Sequence, residues 1–75
     1  MSIGAVFAVN LRKIRSAKKI SQEKLAHDAD LDRTYISSLE REVYSPTLEV
    51  IARIARALDV EVVELVKTPS RRSKS

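Results

Sequence analysis

The aspartates in the middle of the chain are the first candidates for a chemical site. Asp28, Asp30 and Asp32 alternate in the way that the first three ligands of a calcium-binding loop do. The sixth position of such a loop needs a glycine and is Arg33 here, and the twelfth needs a glutamate and is Leu39. The pattern therefore does not support a calcium site, and these aspartates are better interpreted as residues that cap helices and interact with helix dipoles.

Catalytic chemistry has equally little support in the sequence. His27 is the single histidine and is predicted to project into solvent, with no nucleophile suitably placed on its helix. The absence of cysteine excludes thiol nucleophiles, thiolate metal sites and disulfides. One glycine is too few for a glycine-rich phosphate loop. We therefore expect no enzymatic activity, no metal, no cofactor and no small-molecule ligand.

The composition describes one small, weakly basic domain. The chain has 75 residues, and its 14 Lys and Arg against 10 Asp and Glu give a formal net charge of +4. All of the acidic residues lie between residues 22 and 64, so the basic excess is confined to the two ends. Net charge is therefore weak evidence for nucleic-acid binding. Since no apolar run is long enough to span a membrane and the start does not read as a signal peptide, we expect a cytoplasmic protein and no membrane partner.

The spacing of apolar residues predicts helices along almost the whole chain. Helices are predicted over residues 3–17, 22–29 and 33–41, with Ser2, Ser21 and Asp32 as their N-caps. After Thr47, a fourth helix should bury Leu48, Ile51, Ala52, Ala55 and Leu58. Residues 60–66 fit either a short strand or a fifth helix, and the helix is favoured. We predict an all-α fold, a compact bundle of four to five short helices over residues 1–67, with a basic disordered tail over 68–75.

The second and third helices are separated only by Asp30 to Asp32, a link short enough for a helix-turn-helix arrangement. Three segments carry a wider pattern over residues 11–60, namely LRKIR, ISQEKLAHDADLDRTYISSLERE and SPTLEVIARIARALDV. The chain resembles the Cro and phage-repressor (Xre) type of helix-turn-helix DNA-binding domain. The run LDRTYISSLER most resembles controller proteins of bacterial restriction–modification systems. That family often has glycine, at helix ends and turns, where this chain has Lys19, Asp30, Glu42 and Asp59.

The resemblance implies that the third helix is a recognition helix, whose N-terminal residues face base edges in the major groove. Arg33 has a specific chemical match, because a guanidinium can donate two hydrogen bonds to O6 and N7 of guanine. The expected base-reading set is Arg33, Thr34, Tyr35, Ser37 and Ser38. The alternative is a merely solvated helix face, and Tyr35 could equally contact a phosphate.

The resemblance also implies contacts with the DNA backbone. Gln22 begins the second helix, where free backbone N–H groups and the helix dipole favour an anion. The expected phosphate-binding set is Gln22, Arg41, Tyr44, Ser45 and Thr47. Such contacts position a protein on DNA but carry no sequence information. In similar domains the residues at positions 15 and 40 bridge the first and third helices, so we expect Arg15 and Glu40 to form a structural ion pair.

Some apolar residues are in excess of what one small domain needs to bury. Val50 and Ile54 are predicted to lie outside the row of core-facing residues on the fourth helix, and the last predicted element is rich in valine. We expect a homodimer interface formed by Val50, Ile54, Val62, Val63 and Val66, since a monomer of this size is marginally stable. The alternative is that the two groups cover each other within one protomer.

Together these features predict a sequence-specific DNA-binding transcriptional regulator. It would act as a homodimer on a pseudo-palindromic operator, with restriction–modification genes as candidate targets. Its expected partners are double-stranded DNA and a second copy of itself. The alternative is a protein-binding helix-turn-helix module, such as an antitoxin that caps a toxin.

Overall fold

The computed structural model describes residues 2–69, and every regular element in this range is a helix. The helices are α1 (Ile3–Ala17), α2 (Gln22–Ala29), α3 (Arg33–Glu40), α4 (Leu48–Leu58) and α5 (Val62–Val66). The all-α prediction is confirmed, as is the helix rather than the strand within residues 60–66. From residue 70 onward, the predicted basic tail lies outside the described residues.

The helix starts lie where the sequence predicts them, and side-chain caps explain three of them. Ser2, Ser21 and Thr47 each accept a hydrogen bond from the backbone N–H three residues later, at 3.0–3.1 Å. A cap of this kind contributes about 1 kcal/mol. Asp32 occupies the N-cap position of α3, but its side chain makes no capping hydrogen bond. Helix α3 ends one residue earlier than predicted, with Arg41 as its C-cap.

Helices α1 to α4 all end through left-handed backbone, at residues that we call the four left-handed helix ends: Lys19, Asp30, Glu42 and Asp59, with φ between 59° and 63°. The residue that follows each of them is aliphatic and donates its N–H to the carbonyl five residues earlier, at 2.8–3.0 Å. This is the Schellman motif, in which glycine is the usual left-handed residue. In the described part of the chain no glycine occupies such a position. At each of these ends a Cβ therefore lies close to a backbone carbonyl oxygen, which is a source of strain.

The core forms where α1 packs against α3 and α5, α2 packs against α3 and α4, and α4 packs against α5. Its fully buried large side chains are Phe7, Leu11, Leu25, Ile36, Leu39, Ile54, Leu58 and Leu65. The placement of Ile54 outside the core was wrong, because α4 contacts both α2 and α5 and therefore buries a wider stripe than one neighbour would require. The placement of Leu48 in the core was also wrong. Leu48 is the first residue of α4, one turn before the buried Ile51, and it is 83% exposed.

The short helix α5 is attached to α1 by a buried amide. Asn10 Nδ2 donates to the carbonyl oxygens of Leu65 and Lys67, at 2.9 and 2.8 Å. These carbonyls lie at the C-terminal end of α5, where a helix has no backbone partners of its own. Asn10 thus satisfies two acceptors at once and holds the last helix against the first.

The left-handed backbone at Glu42 leads to a test of stability. We expect Glu42→Gly to leave the free energy of unfolding unchanged or to raise it by up to about 1 kcal/mol. Glycine relieves a strain of about 1–2 kcal/mol, and the freedom that it gives the unfolded chain offsets about 0.4–1 kcal/mol of this. Urea denaturation of Glu42→Gly beside Glu42→Ala measures the effect, because alanine keeps the Cβ. A glycine variant clearly less stable than the alanine variant would contradict left-handed strain at this position.

Candidate nucleic-acid interface

Helix α3 is exposed at its first two residues and buried along the face that packs against the core. Arg33 and Thr34 lie on the surface in the first turn, where the free N–H groups and the dipole of the helix add positive potential. Ile36 and Leu39 are fully buried and set the inner face of α3. Tyr35 and Ser37 lie at the edges of the exposed face and are half-buried.

Ser38 does not lie on the exposed face, and its predicted orientation toward solvent was wrong. Its side chain is buried, although it lies close in helical angle to the exposed Thr34. The chain reverses at Glu42, and the N–H of Val43 donates to the carbonyl oxygen of Ser38 at 2.9 Å. The segment after α3 therefore turns back at the C-terminal end of the helix, and with Ser38 buried the accessible face is limited to the start of the helix.

Four of the five predicted phosphate-binding residues lie in or beside the segment between α3 and α4. Arg41, Tyr44, Ser45 and Thr47 are all exposed. The hydroxyl of Thr47 caps α4, and the segment also lies beside the start of α1. The contact with α1 is close, since a Cβ added at Gly4 would lie 3.3 Å from Ser45 Oγ.

Gln22, the fifth residue of the predicted phosphate-binding set, is hydrogen-bonded to a buried side chain. It is half-buried at the first position of α2, and its Nε2 donates to Glu40 Oε1 at 2.9 Å. The side-chain amide therefore links α2 to the end of α3 instead of extending freely toward solvent. The exposed backbone N–H groups at the start of α2 remain available to an anion.

Arg15 and Glu40 form the ion pair that joins α1 to α3. Arg15 Nε lies 2.7 Å from Glu40 Oε2, and Arg15 Nη2 donates to Glu40 Oε1 at 3.0 Å. The carboxylate is only 4% exposed and the guanidinium side chain is 18% exposed. Arg15 Nη1 also donates to the carbonyl oxygen of Ile20, at the left-handed end of α1. This two-bond geometry is the strong form of a charged hydrogen bond.

Two further arginines stabilise helix ends, and sequence analysis missed both. Arg12 donates to the carbonyl oxygen of Glu40, the last residue of α3. Arg53 on α4 donates to the carbonyl oxygens of Ala29 and Asp30, at 3.1 and 2.6 Å, at the end of α2. A cation at a helix C-terminus is favourable for the dipole and satisfies free carbonyls. No local pattern could have revealed these contacts, because the partners lie at least 23 residues apart in the chain.

Two tyrosines meet beside the exposed face of α3. The ring centroids of Tyr35 and Tyr44 are 6.1 Å apart, and the ring planes are inclined by 39°. Tyr35 also packs against the hydrophobic core, whereas Tyr44 is exposed. The pair therefore connects the recognition-helix candidate to the segment that follows it.

The residues predicted to form a dimer interface divide into three groups by exposure. Val62 and Val63 are exposed, and Val50 and Val66 are half-buried against the core. Ile54 is fully buried within one protomer and is not available to a partner. The exposed Leu48 at the start of α4 is an apolar residue that the predicted set lacked.

The central aspartates act on local structure. Asp28 accepts a hydrogen bond from Lys24 Nζ at 2.7 Å, which lowers the pKa of the Asp28 carboxyl below its ordinary value. His27 lies beside it in solvent, with Nδ1 3.5 Å from Asp28 Oδ1. Within residues 2–69 no group of three or more His, Asp or Glu side chains is placed to hold a metal ion. None of the five described helices is long and apolar enough to span a membrane.

Comparison with known proteins gives a consistent result. Residues 11–65 match the family model described as helix-turn-helix. The "Neisseria hypothetical transcription factor" of Neisseria meningitidis serogroup B is 43% identical over 70 residues, which cover 93% of this chain and 66% of that protein. A crystal structure of a hypothetical transcription factor from Neisseria superposes with a TM-score of 0.86 at 41% identity, over 91% of this chain and 78% of that one. The chain thus spans about two thirds of this relative's length.

Two controller proteins are also similar to this chain. The control protein C.BamHI of Bacillus amyloliquefaciens is 42% identical over 66 residues, covering 87% of this chain and 82% of that protein. The restriction-modification controller protein C.Esp1396I has been solved as a tetramer in complex with its natural 35 base-pair operator. That structure has a TM-score of 0.79 and 35% identity, over 85% of this chain and 86% of that one.

The contribution of the buried ion pair to stability can be tested by removing its glutamate and, for comparison, the glutamate of an ion pair at the surface. We expect Glu40→Ala to lower the free energy of unfolding by about 3 kcal/mol, because it leaves the guanidinium of Arg15 without its carboxylate. Glu64→Ala removes a surface pair, with Lys67 Nζ 3.0 Å from Glu64 Oε1, and should cost less than about 1 kcal/mol. Urea denaturation of both variants under one set of conditions makes the comparison. Equal losses would mean that burial adds nothing to the Arg15–Glu40 pair.

Proposed function

The chain belongs to the helix-turn-helix family, and we propose that it is a sequence-specific DNA-binding transcriptional regulator of the restriction–modification controller type. The observation that carries the proposal is the division of α3, which exposes its first two residues while Ile36, Leu39 and Glu40 anchor it in the core. This is the arrangement that a helix needs in order to enter a major groove as part of a rigid body. Such a regulator would act on DNA in the cytoplasm.

Base reading is assigned to the residues on the exposed face of α3 and at its edges. Arg33 would donate two hydrogen bonds to a guanine, and Thr34 and Ser37 are short enough to let the helix approach closely. Tyr35 lies at the edge of this face, within reach of a base edge or a neighbouring phosphate. Ser38 is left out of the set, because its side chain is buried.

Phosphate contacts are assigned to both flanks of the helix. On one side the N-terminal N–H groups of α2, with Gln22 as the first residue, would face one strand of the backbone. On the other side Arg41, Tyr44, Ser45 and Thr47 are exposed between α3 and α4. These contacts would orient the protein and supply most of its affinity for any duplex.

We further propose that the active form is a homodimer on a pseudo-palindromic operator. The tetrameric relative on its operator supports self-association in this family. A second copy would cover the exposed apolar residues of α4 and α5, which pack against each other: Leu48, Val62 and Val63, together with the half-buried Val50 and Val66. A two-fold dimer would place two copies of α3 on half-sites about one helical turn apart.

The DNA interface is tested by binding-site selection from a random duplex pool, followed by titration of the selected site. We expect Arg33→Ala to weaken binding by about 1–3 kcal/mol and to relax the preference at one G·C pair. Arg33→Lys keeps the charge and loses the paired hydrogen bonds, so it should lose discrimination more than affinity. Arg56→Ala, at an exposed arginine near the end of α4, is the matched control. An equal loss for every duplex with Arg33→Ala would instead make Arg33 a phosphate contact.

The same titrations at increasing salt separate this function from that of a protein-binding module. For a DNA reader the logarithm of the binding constant falls linearly with the logarithm of the salt concentration, in proportion to the phosphates neutralised. A module that only caps a protein partner would bind no duplex at any salt concentration.

The proposed dimer surface is tested with two valines of equal exposure. Val63→Lys should shift the sedimentation coefficient toward that of the monomer, because it puts a charge on the surface that the partner covers. Val43→Lys is the control, since Val43 is 54% exposed and Val63 is 55% exposed. A Val63→Lys variant that remains dimeric, or equal dissociation of both variants, would show that the surface is misplaced.

A further inference from the structure

The pair of Tyr35 and Tyr44 has a role beyond the individual contacts assigned to each residue. We propose that the ring of Tyr44 is a positioning residue for Tyr35, and that it thereby helps to determine base specificity at the position that Tyr35 faces. The inference rests on the DNA-binding function proposed above. It assigns to the ring of Tyr44 a part that is separate from any phosphate contact made by the Tyr44 hydroxyl.

The ring geometry is that of an interacting aromatic pair. A centroid separation of 6.1 Å lies within the range of favourable aromatic contacts, and a tilt of 39° avoids the unfavourable face-to-face arrangement. Such a pair restricts the rotation of both side chains. Tyr35 is restricted further because it also packs against the core. The direction of the Tyr35 phenol is therefore restricted twice, by the core and by the ring of Tyr44, which lies outside α3.

Tyr44 is itself held from both sides, which is a condition for positioning anything else. Before it, the left-handed Glu42 and the hydrogen bond from Val43 N–H to Ser38 direct the chain back toward α3. After it, Ser45 Oγ lies close enough to Gly4 that a Cβ there would be 3.3 Å away. Pro46 then restricts the backbone further.

An aromatic ring between α3 and the following segment would couple two kinds of contact. The segment from Arg41 to Thr47 is assigned to phosphates, and Tyr35 lies on the reading helix. When the segment docks on the backbone, the Tyr44 ring would hold the Tyr35 phenol in one direction relative to the bases. Discrimination at that base pair would then depend on Tyr44, although Tyr44 touches no base.

The chain offers an unusually direct test, because Tyr35 and Tyr44 are its two tyrosines and it has no tryptophan. In both Tyr44→Phe and Tyr44→Ala, Tyr35 is the single remaining tyrosine. Phenylalanine keeps the ring of residue 44 and removes the hydroxyl, whereas alanine removes both. Near-ultraviolet circular dichroism of the two variants therefore reports how firmly Tyr35 is held with and without its neighbour.

The binding measurement uses the selected duplex and its single-base-pair variants at one salt concentration. Tyr44→Phe should discriminate between duplexes as the unaltered chain does, and any affinity that it loses with the hydroxyl should be lost equally on every duplex. Tyr44→Ala should lose about three- to tenfold in discrimination, the range that corresponds to an aromatic pair, at the base pair where Tyr35→Ala also loses it. The double variant should lose no more there than Tyr35→Ala alone, and Tyr35 in Tyr44→Ala should have a weaker dichroic signal than in Tyr44→Phe.

Three results would overturn the inference. These are the same dichroic signal of Tyr35 in both variants, a loss of affinity in Tyr44→Ala that is equal on all duplexes, or a loss of discrimination that is equal in Tyr44→Phe and Tyr44→Ala. The second would reduce Tyr44 to a phosphate contact, and the third would assign its effect to the hydroxyl instead of the ring. Both would leave the DNA-binding function intact. If the unaltered chain bound no duplex, the proposed function would fail, and this would be evident before any variant was compared.

Discussion

The carboxylate of Glu40 is buried at the end of α3, and the arrangement of the first three helices depends on compensating its charge. Arg15 from α1 supplies two hydrogen bonds, and Gln22 from α2 supplies a third. A shift of α1 relative to α3 would leave this buried charge unpaired, at a cost of several kcal/mol. A shift of α2 would remove the third hydrogen bond. The exposed turn that carries Arg33 therefore has a defined position relative to the start of α2, which is the geometric requirement of a helix-turn-helix reader.

The helices and their ends could be predicted from the sequence because the interactions that define them are local. Ser2, Ser21 and Thr47 cap helices through hydrogen bonds that reach three residues along the chain. The inner faces of α2 and α3 follow from apolar spacing alone. The fifth helix was harder to predict, since valine-rich segments suit strands and its anchoring by Asn10 comes from the other end of the chain.

The parts that could not be predicted depend on tertiary contacts. Helical angle puts Ser38 close to the exposed Thr34, but in the folded chain its side chain is buried. The same limit applies to α4, where Ile54 is buried because two neighbouring helices meet there and Leu48 is exposed because it precedes them. The sequence thus predicts which side chains have suitable chemistry for DNA. The burial that removes one of them from the surface requires the folded structure.

The four left-handed helix ends have a consequence for how a complex with DNA would form. The Schellman hydrogen bonds hold Lys19, Asp30, Glu42 and Asp59 in the left-handed region, where a residue with a Cβ has a narrower range of φ and ψ than glycine. The domain consequently has few inexpensive ways to adjust its shape, and most of the adjustment in a complex would fall on the duplex. The bending stiffness and groove width of the operator would then contribute to recognition even at base pairs that no side chain reaches.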